Sequence, residues 1–198
     1  HVSFEAKPGE TTAIIGSTGS GKTALVGLIP RFYDVQEGEV LVDGVNVKDY
    51  DRRTLRRKIG YVPQKALLFK GTIMENIRFG DDSASDERVK EAAAIAQSTD
   101  FIEDKPDGFD SSISQGGSNV SGGQRQRLAI ARAIVRKPEI YVFDDSFSAL
   151  DFKTDSALRQ ALSKETGNAT VVIVAQRVST IMNADRIIVM DEGKVMGI

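Results

Sequence analysis

Short apolar runs rich in β-branched residues recur along the chain. Thr11–Ile15, Ile59–Val62, Glu139–Phe143, Thr170–Ala175 and Arg186–Met190 each have the length of a strand buried on both faces. Helix-like stretches lie between the first and the last, and that alternation predicts an α/β fold with a mostly parallel sheet. Glu39–Asp43, followed by Gly44 and Asn46, predicts a strand and turn at an edge, and Lys22–Leu28 a helix stopped by Pro30. Val2–Phe4 reads as a strand and Asp191–Val195 as a hairpin. Both ends therefore look cut, and the chain is expected to be a fragment.

The middle of the chain changes period. From about Gly71 to Val135 the pattern is helical, with no strand expected. Asp86–Gln97 has Ser85 as N-cap, acids in its first turn, and Val89, Ala92, Ala93 and Ala96 at helical spacing. Ser121–Arg136 forms a second helix, with Leu128, Ala131, Ile134 and Val135 on one side and Pro138 just beyond its end. Between them Lys105–Gly123, with five glycines and one proline, predicts a long loop. The expected organisation is an α/β core over residues 1–64 and 137–198 with a helical subdomain, residues 65–136, inserted into it.

Composition narrows the chemistry. The 198 residues are 40% hydrophobic, enough for a core, and the net charge is −2, which gives no support to nucleic-acid binding by a basic surface. With no cysteine, disulfides, zinc–thiolate sites, iron–sulfur clusters and cysteine nucleophiles are excluded. The only histidine is His1, so no internal imidazole serves as base, ligand or switch. The longest apolar runs, such as Val171–Ala175, fall far short of the roughly 18–20 residues that cross a bilayer. The chain is expected to be soluble by itself.

One segment carries a specific chemistry. Gly16-Ser17-Thr18-Gly19-Ser20-Gly21-Lys22-Thr23 fits GxxxxGK(S/T), immediately after a predicted strand and opening a predicted helix. Glycines let the backbone turn tightly and aim N–H groups at phosphate oxygens, and the helix start adds partial positive charge. Lys22 is placed for the β- and γ-phosphates of ATP and the Thr23 hydroxyl for Mg²⁺. Asp144, ending the run Ile140–Phe143, puts a carboxylate at the carboxyl edge of the sheet, where it would help hold Mg²⁺.

Further motifs follow in order. Val120-Ser121-Gly122-Gly123-Gln124 precedes Arg125-Gln126-Arg127-Leu128, Gln64 ends Tyr61-Val62-Pro63-Gln64, and Ser148-Ala149-Leu150-Asp151 follows the Asp144 strand. Together with the phosphate loop, these make the whole chain resemble the nucleotide-binding domain of ABC transporters of the exporter type. The resemblance implies an ABC ATPase fold, ATP and Mg²⁺ as ligands, and a place on the cytoplasmic side of a membrane beside a transmembrane domain. It implies that Gln64 contacts Mg²⁺ or water. It also implies that Ser121, Gly122, Gly123 and Gln124 meet ATP held by an opposing domain in a head-to-tail dimer, with Asp151 facing the dimer partner. The aromatic residue that stacks on adenine in this family is expected to lie before His1.

Three positions depart from the family pattern. Hydrolytically competent members have a glutamate where this chain has Asp145, whose oxygens stop short by roughly an ångström. A general base works at about 2.6–3.2 Å from its water, and a misplacement of that size costs on the order of 100-fold. The family histidine after the next strand is Gln176, which can donate a hydrogen bond but cannot carry an imidazolium charge. Asp145 and Gln176 remain the catalytic candidates, and the two changes together resemble the degenerate half of a heterodimeric exporter, which completes its partner's site with an intact signature. Gln115 stands where exporters usually have a glutamate, in a loop the resemblance places near the transmembrane domain.

Two alternatives compete with an exporter motor domain. One is a catalytically inactive, regulatory ATP-binding domain. The other is a soluble ABC ATPase acting on DNA or ribosomes, but only 57 positions separate Gln64 from Ser121, too few for the coiled coils of chromosome-associated members. The remaining features read as structural. Arg52, Arg53, Arg56, Arg57 and Lys58 are expected on a solvated helix face, and Arg125, Arg127, Arg132 and Arg136 solvated or ion-paired. Phe69, Phe79, Phe143 and Tyr61 are expected in packing, Tyr61 at a hinge.

Overall fold

The computed structural model describes residues 2–198; His1 lies outside them. Along the chain run β1 (Thr11–Gly16), α1 (Lys22–Gly27), β2 (Leu41–Val42), β3 (Val45–Asn46), α2 (Arg52–Arg57), β4 (Ile59–Val62), β5 (Gly71–Thr72) and α3 (Ile73–Arg78). There follow α4 (Asp86–Ile95), α5 (Thr99–Glu103), β6 (Ser112–Ile113), α6 (Gly122–Val135), β7 (Ile140–Asp144), α7 (Phe152–Glu165), β8 (Thr170–Ala175), α8 (Val178–Ile181), β9 (Arg186–Asp191) and β10 (Lys194–Gly197). Two compact units result: His1–Tyr61 with Pro138–Asp145 and Asn168–Ile198, and Val62–Lys137 with Ser146–Gly167.

The first unit is built on a six-stranded sheet in the order β10-β9-β1-β8-β7-β4. β1 pairs in parallel with β8 and β9, β8 pairs in parallel with β7, and β10 closes the edge antiparallel to β9. Every residue of β8 is buried, as a central strand covered on both faces requires. Ile14, Val26, Val142, Val172, Val174 and Ile188 form the apolar centre. The register pairs Ile15 with Ala175 and Asp144 with Val174, so β1, β7 and β8 end level with one another. That alignment gathers three segments at the carboxyl edge of the sheet.

Two expectations fail in this unit. Val2–Phe4 takes no strand; Val2 and Phe4 instead rest half-buried against the core. The basic run is only partly a solvated face. Arg56 donates to the carbonyls of Pro30 and Arg31 and lies 5.4 Å from the Phe32 ring, while Lys58 bridges Asp43 and Glu139. A guanidinium within reach of helix-end carbonyls and a ring finds partners that charge patterning does not show.

The second unit is mainly helical. α4 starts as the sequence predicts, with the Ser85 hydroxyl accepting from the Arg88 amide and Val89, Ala92 and Ala93 buried. α3 and α6 each open on a capping box, Thr72 with Glu75 and Ser121 with Gln124. Contrary to expectation the region holds a strand pair, β5 with β6, each two residues long and too short to leave a hydrophobic period. Ser146–Gly167, which the sequence pattern leaves with the core, groups by contact with this unit; Glu165 pairs with Arg88 at 2.7 Å.

Arg125, Arg127 and Arg132 of α6, expected solvated or ion-paired, hydrogen-bond to carbonyl oxygens instead. Arg132 donates to the carbonyls of Asn76 and Leu67, both at 2.8 Å, and sits 5.1 Å and 5.6 Å from the rings of Phe69 and Phe79. Burial without a carboxylate partner pulls its pKa down to about 10. Arg125 donates to the Gly116 carbonyl, and Arg127 donates to that of Gln97 while packing on Phe101. These cations fasten loops to α6 through carbonyl oxygens, a use that leaves no trace in charge spacing. Among the described residues no helix is long and apolar enough to cross a membrane.

Candidate functional site

The segment Gly16–Thr23 wraps from the end of β1 into α1. Gly16 has no room for a side chain, since a Cβ there would lie 2.1 Å from the Met190 carbonyl oxygen. Gly21 takes φ +95° and caps α1 without any side-chain hydrogen bond. The first turn of α1 thus has no side chain competing for its amides. Lys22 is 7% exposed, and its ammonium donates to the carbonyls of Gly16 (2.8 Å) and Ser17 (2.7 Å) and to the Ser20 hydroxyl (3.3 Å). Its three protons are therefore all directed at the loop, which holds a positive charge at the loop's centre.

β7 delivers Asp144, which is buried at 2% exposure. Thr23 donates to Asp144 Oδ1 at 3.0 Å, and Tyr61 donates to Asp144 Oδ2 at 3.1 Å. Burial, and then the negative charge of Asp144, push the Tyr61 phenol well above its ordinary pKa, so it stays a protonated donor. Thr23 and Asp144 offer a hydroxyl and a carboxylate side by side, a hard oxygen pair that suits Mg²⁺. Among the described residues no group of three or more His, Cys, Asp or Glu side chains stands ready to hold a metal by itself. That sparse donor set fits Mg²⁺, which uses one or two protein ligands together with phosphates and waters. A glycine loop around a lysine fits the phosphates in the same way.

Asp145 follows at the strand end, also buried, with φ +49° and its amide donating to the Val174 carbonyl at 2.9 Å. Aspartate tolerates this left-handed conformation better than most residues. Gln176, one residue past β8, donates from Nε2 to Asp145 Oδ2 at 3.1 Å. Two of the three positions that depart from the family pattern, Asp145 and Gln176, thus touch one another. Gly16–Thr23, Asp144, Asp145 and Gln176 all lie in the first unit.

Gln64, Ser121–Gln124 and Asp151 belong to the second unit. Gln64 is exposed just after β4. At the start of α6 the Ser121 hydroxyl accepts from the Gln124 amide (3.1 Å), and the Gln124 side-chain oxygen accepts from the Ser121 amide (3.0 Å). Gly122 faces open space. Asp151 caps α7, accepting from the Thr154 amide and hydroxyl, and those bonds hold its carboxyl below the usual range.

Two residues of the first unit were missed by sequence reasoning. Tyr61 touches Asp144, and nothing in its sequence surroundings marks it for that role. Asp191 accepts from the Ser17 hydroxyl at 3.2 Å, and the Gly193 amide donates to the Ser20 carbonyl, so the β9–β10 turn braces the phosphate loop. Asp191 did have a signal: like Asp144 it ends an apolar strand at the carboxyl edge of the sheet.

The family model described as ABC transporter matches residues 1–148. An uncharacterized ABC transporter ATP-binding protein of Mycobacterium tuberculosis is 50% identical over 199 residues, 99% of this chain and 34% of its own length. A putative multidrug export ATP-binding/permease protein of Staphylococcus aureus is 44% identical over 195 residues, 98% of this chain and 34% of its own. Among solved structures, a bacterial Atm1-family ABC exporter with ATP bound superposes with a TM-score of 0.95 at 39% identity, over 98% of this chain and 34% of that one. The chain spans about a third of the length of the relatives it matches.

Proposed function

The chain belongs to the ABC transporter family, and from that premise we propose that it is the ATP-binding domain of an exporter, working on the cytoplasmic side of a membrane beside a transmembrane domain. Gly16–Thr23 cradle the phosphates of ATP, with Lys22 opposite the β- and γ-phosphates. Thr23 and Asp144 serve Mg²⁺. The observation that carries this reading is the arrangement of the buried Lys22 ammonium inside its glycine loop, with the Thr23–Asp144 oxygen pair 3.0 Å apart beside it. The multidrug-export relative and the exporter neighbour support transport outward as the work that ATP drives.

ATP brings this domain head-to-tail against a second nucleotide-binding domain, where Ser121, Gly122, Gly123 and Gln124 meet the partner's ATP and Asp151 faces the partner. Its own site hydrolyses slowly, because Asp145 is too short to position water and Gln176 cannot carry charge. It serves as the degenerate half of an unlike pair, and its intact signature completes the partner's site.

A complementation assay tests this division of labour. The probe is the Asp145→Glu/Gln176→His/Ser121→Arg variant of this chain, with a competent own site and a broken signature. Alone it is expected to be nearly inactive, and mixing it with wild type is expected to restore ATP hydrolysis at least 10-fold by supplying Ser121 in trans. A wild-type partner carrying Ser121→Arg should restore none. Equal rates with the two partners would remove the in-trans role of the signature.

A further inference from the structure

We infer that Tyr61 is a positioning residue for the metal carboxylate: its hydroxyl fixes Asp144 Oδ2 so that Oδ1 stays turned toward Thr23 and the Mg²⁺ that accompanies ATP. The inference deepens the ATP-binding reading and rests on it.

The two carboxylate oxygens of Asp144 have different partners. Oδ1 accepts from Thr23, the residue placed for the metal, at 3.0 Å. Oδ2 accepts from Tyr61 at 3.1 Å. A carboxylate held by one hydrogen bond can rotate about its last torsion; with a donor on each oxygen the plane of the group is set. Metal-ligating carboxylates are commonly oriented by such outer partners, whose loss costs 10- to 100-fold in metal affinity.

The Tyr61 ring is itself held. It meets Phe32 edge-on at 5.0 Å and 78°, and Phe32 lies beneath the Arg56 guanidinium at 5.4 Å. Arg56 is tied to the carbonyls of Pro30 and Arg31. A chain of contacts thus runs from the turn after α1, through Phe32 and the ring of Tyr61, to the metal carboxylate. All of these residues belong to the first unit. The hydroxyl adds little packing of its own, so Tyr61→Phe removes the hydrogen bond and leaves the ring in place.

The test separates ATP binding from metal binding. ATP affinity of wild type and Tyr61→Phe is measured first in EDTA and then at free Mg²⁺ rising from micromolar to millimolar. Mn²⁺ replaces Mg²⁺ in a parallel series read by electron paramagnetic resonance. In EDTA the two proteins are expected to bind ATP within about twofold of each other, while the half-saturating Mg²⁺ concentration rises about 10-fold in Tyr61→Phe. Phe32→Leu, which loosens the ring but keeps the hydroxyl, is expected to shift the metal requirement in the same direction by less. Equal metal requirements in wild type and Tyr61→Phe would overturn the assignment while leaving the ATP-binding reading intact. Loss of metal-free ATP binding in Tyr61→Phe would overturn it too, by making Tyr61 structural. A wild type that binds no ATP under any condition would overturn both.

Discussion

The Asp145→Glu/Gln176→His double variant is expected to hydrolyse ATP on the order of 100-fold faster than wild type at equal protein concentration. Asp145 cannot simply slide forward to compensate for its length. Its amide is bonded to the Val174 carbonyl at 2.9 Å, its φ is +49°, and it is buried. The backbone is fixed, so the missing methylene translates directly into a carboxylate that stops short. Because Gln176 donates to Asp145 Oδ2 at 3.1 Å, the two positions act on one another, and the gains of the single changes should not add. Asp145→Glu alone leaves the longer carboxylate engaged by an amide that supplies no charge; Gln176→His alone places an imidazole beside a carboxylate that does not reach. Steady-state rates of wild type, both single variants and the double variant check this. A double variant no faster than wild type would mean that the short carboxylate is not what limits the rate.

Lys22→Ala carries the second large effect, this time on binding. It is expected to weaken ATP affinity by roughly 10- to 100-fold, the scale of lost hydrogen bonds to a charged group. The ammonium is almost buried within the loop, bonded to Gly16, Ser17 and Ser20. The fold should survive the change, because the glycine loop is held independently by the Ser17–Asp191 bond and the Gly193–Ser20 backbone bond. Equilibrium binding of a fluorescent ATP analogue, with thermal unfolding as the control, separates lost affinity from lost structure. An unchanged affinity would place the phosphates elsewhere.

Much of the first unit could be read from the chain because its strands are buried on both faces. Ile59–Val62 and Thr170–Ala175 match their strands residue for residue, and the uninterrupted β-branched run Thr170–Val174 has little else to become. The α/β class followed from the alternation of strand-like and helix-like stretches, and the family from motifs whose residue types the chemistry demands. The helices α4 and α6 were legible from their caps, Ser85 and Ser121. What escaped was structure without a period. The two-residue strands β5 and β6 are made by pairing across 40 residues of chain, and no local pattern announces them. Arg132 looked like a surface charge because sequence shows a cation but not the carbonyls of Asn76 and Leu67 that receive it. Tyr61 looked like packing for the same reason: its partner Asp144 is 83 positions away. The contact between Asp145 and Gln176 was equally invisible, although both residues had been singled out, because it depends on β7 and β8 ending level.

Slow turnover of bound ATP is the property proposed for this domain. The most direct test incubates wild type with radiolabelled MgATP and follows the bound nucleotide and its identity over time, with the Asp145→Glu/Gln176→His variant alongside. Both proteins are expected to bind, wild type to hold mainly ATP when the double variant has converted most of its nucleotide to ADP, and Lys22→Ala to retain little of either. Wild-type conversion to ADP as fast as in the double variant would contradict slow turnover.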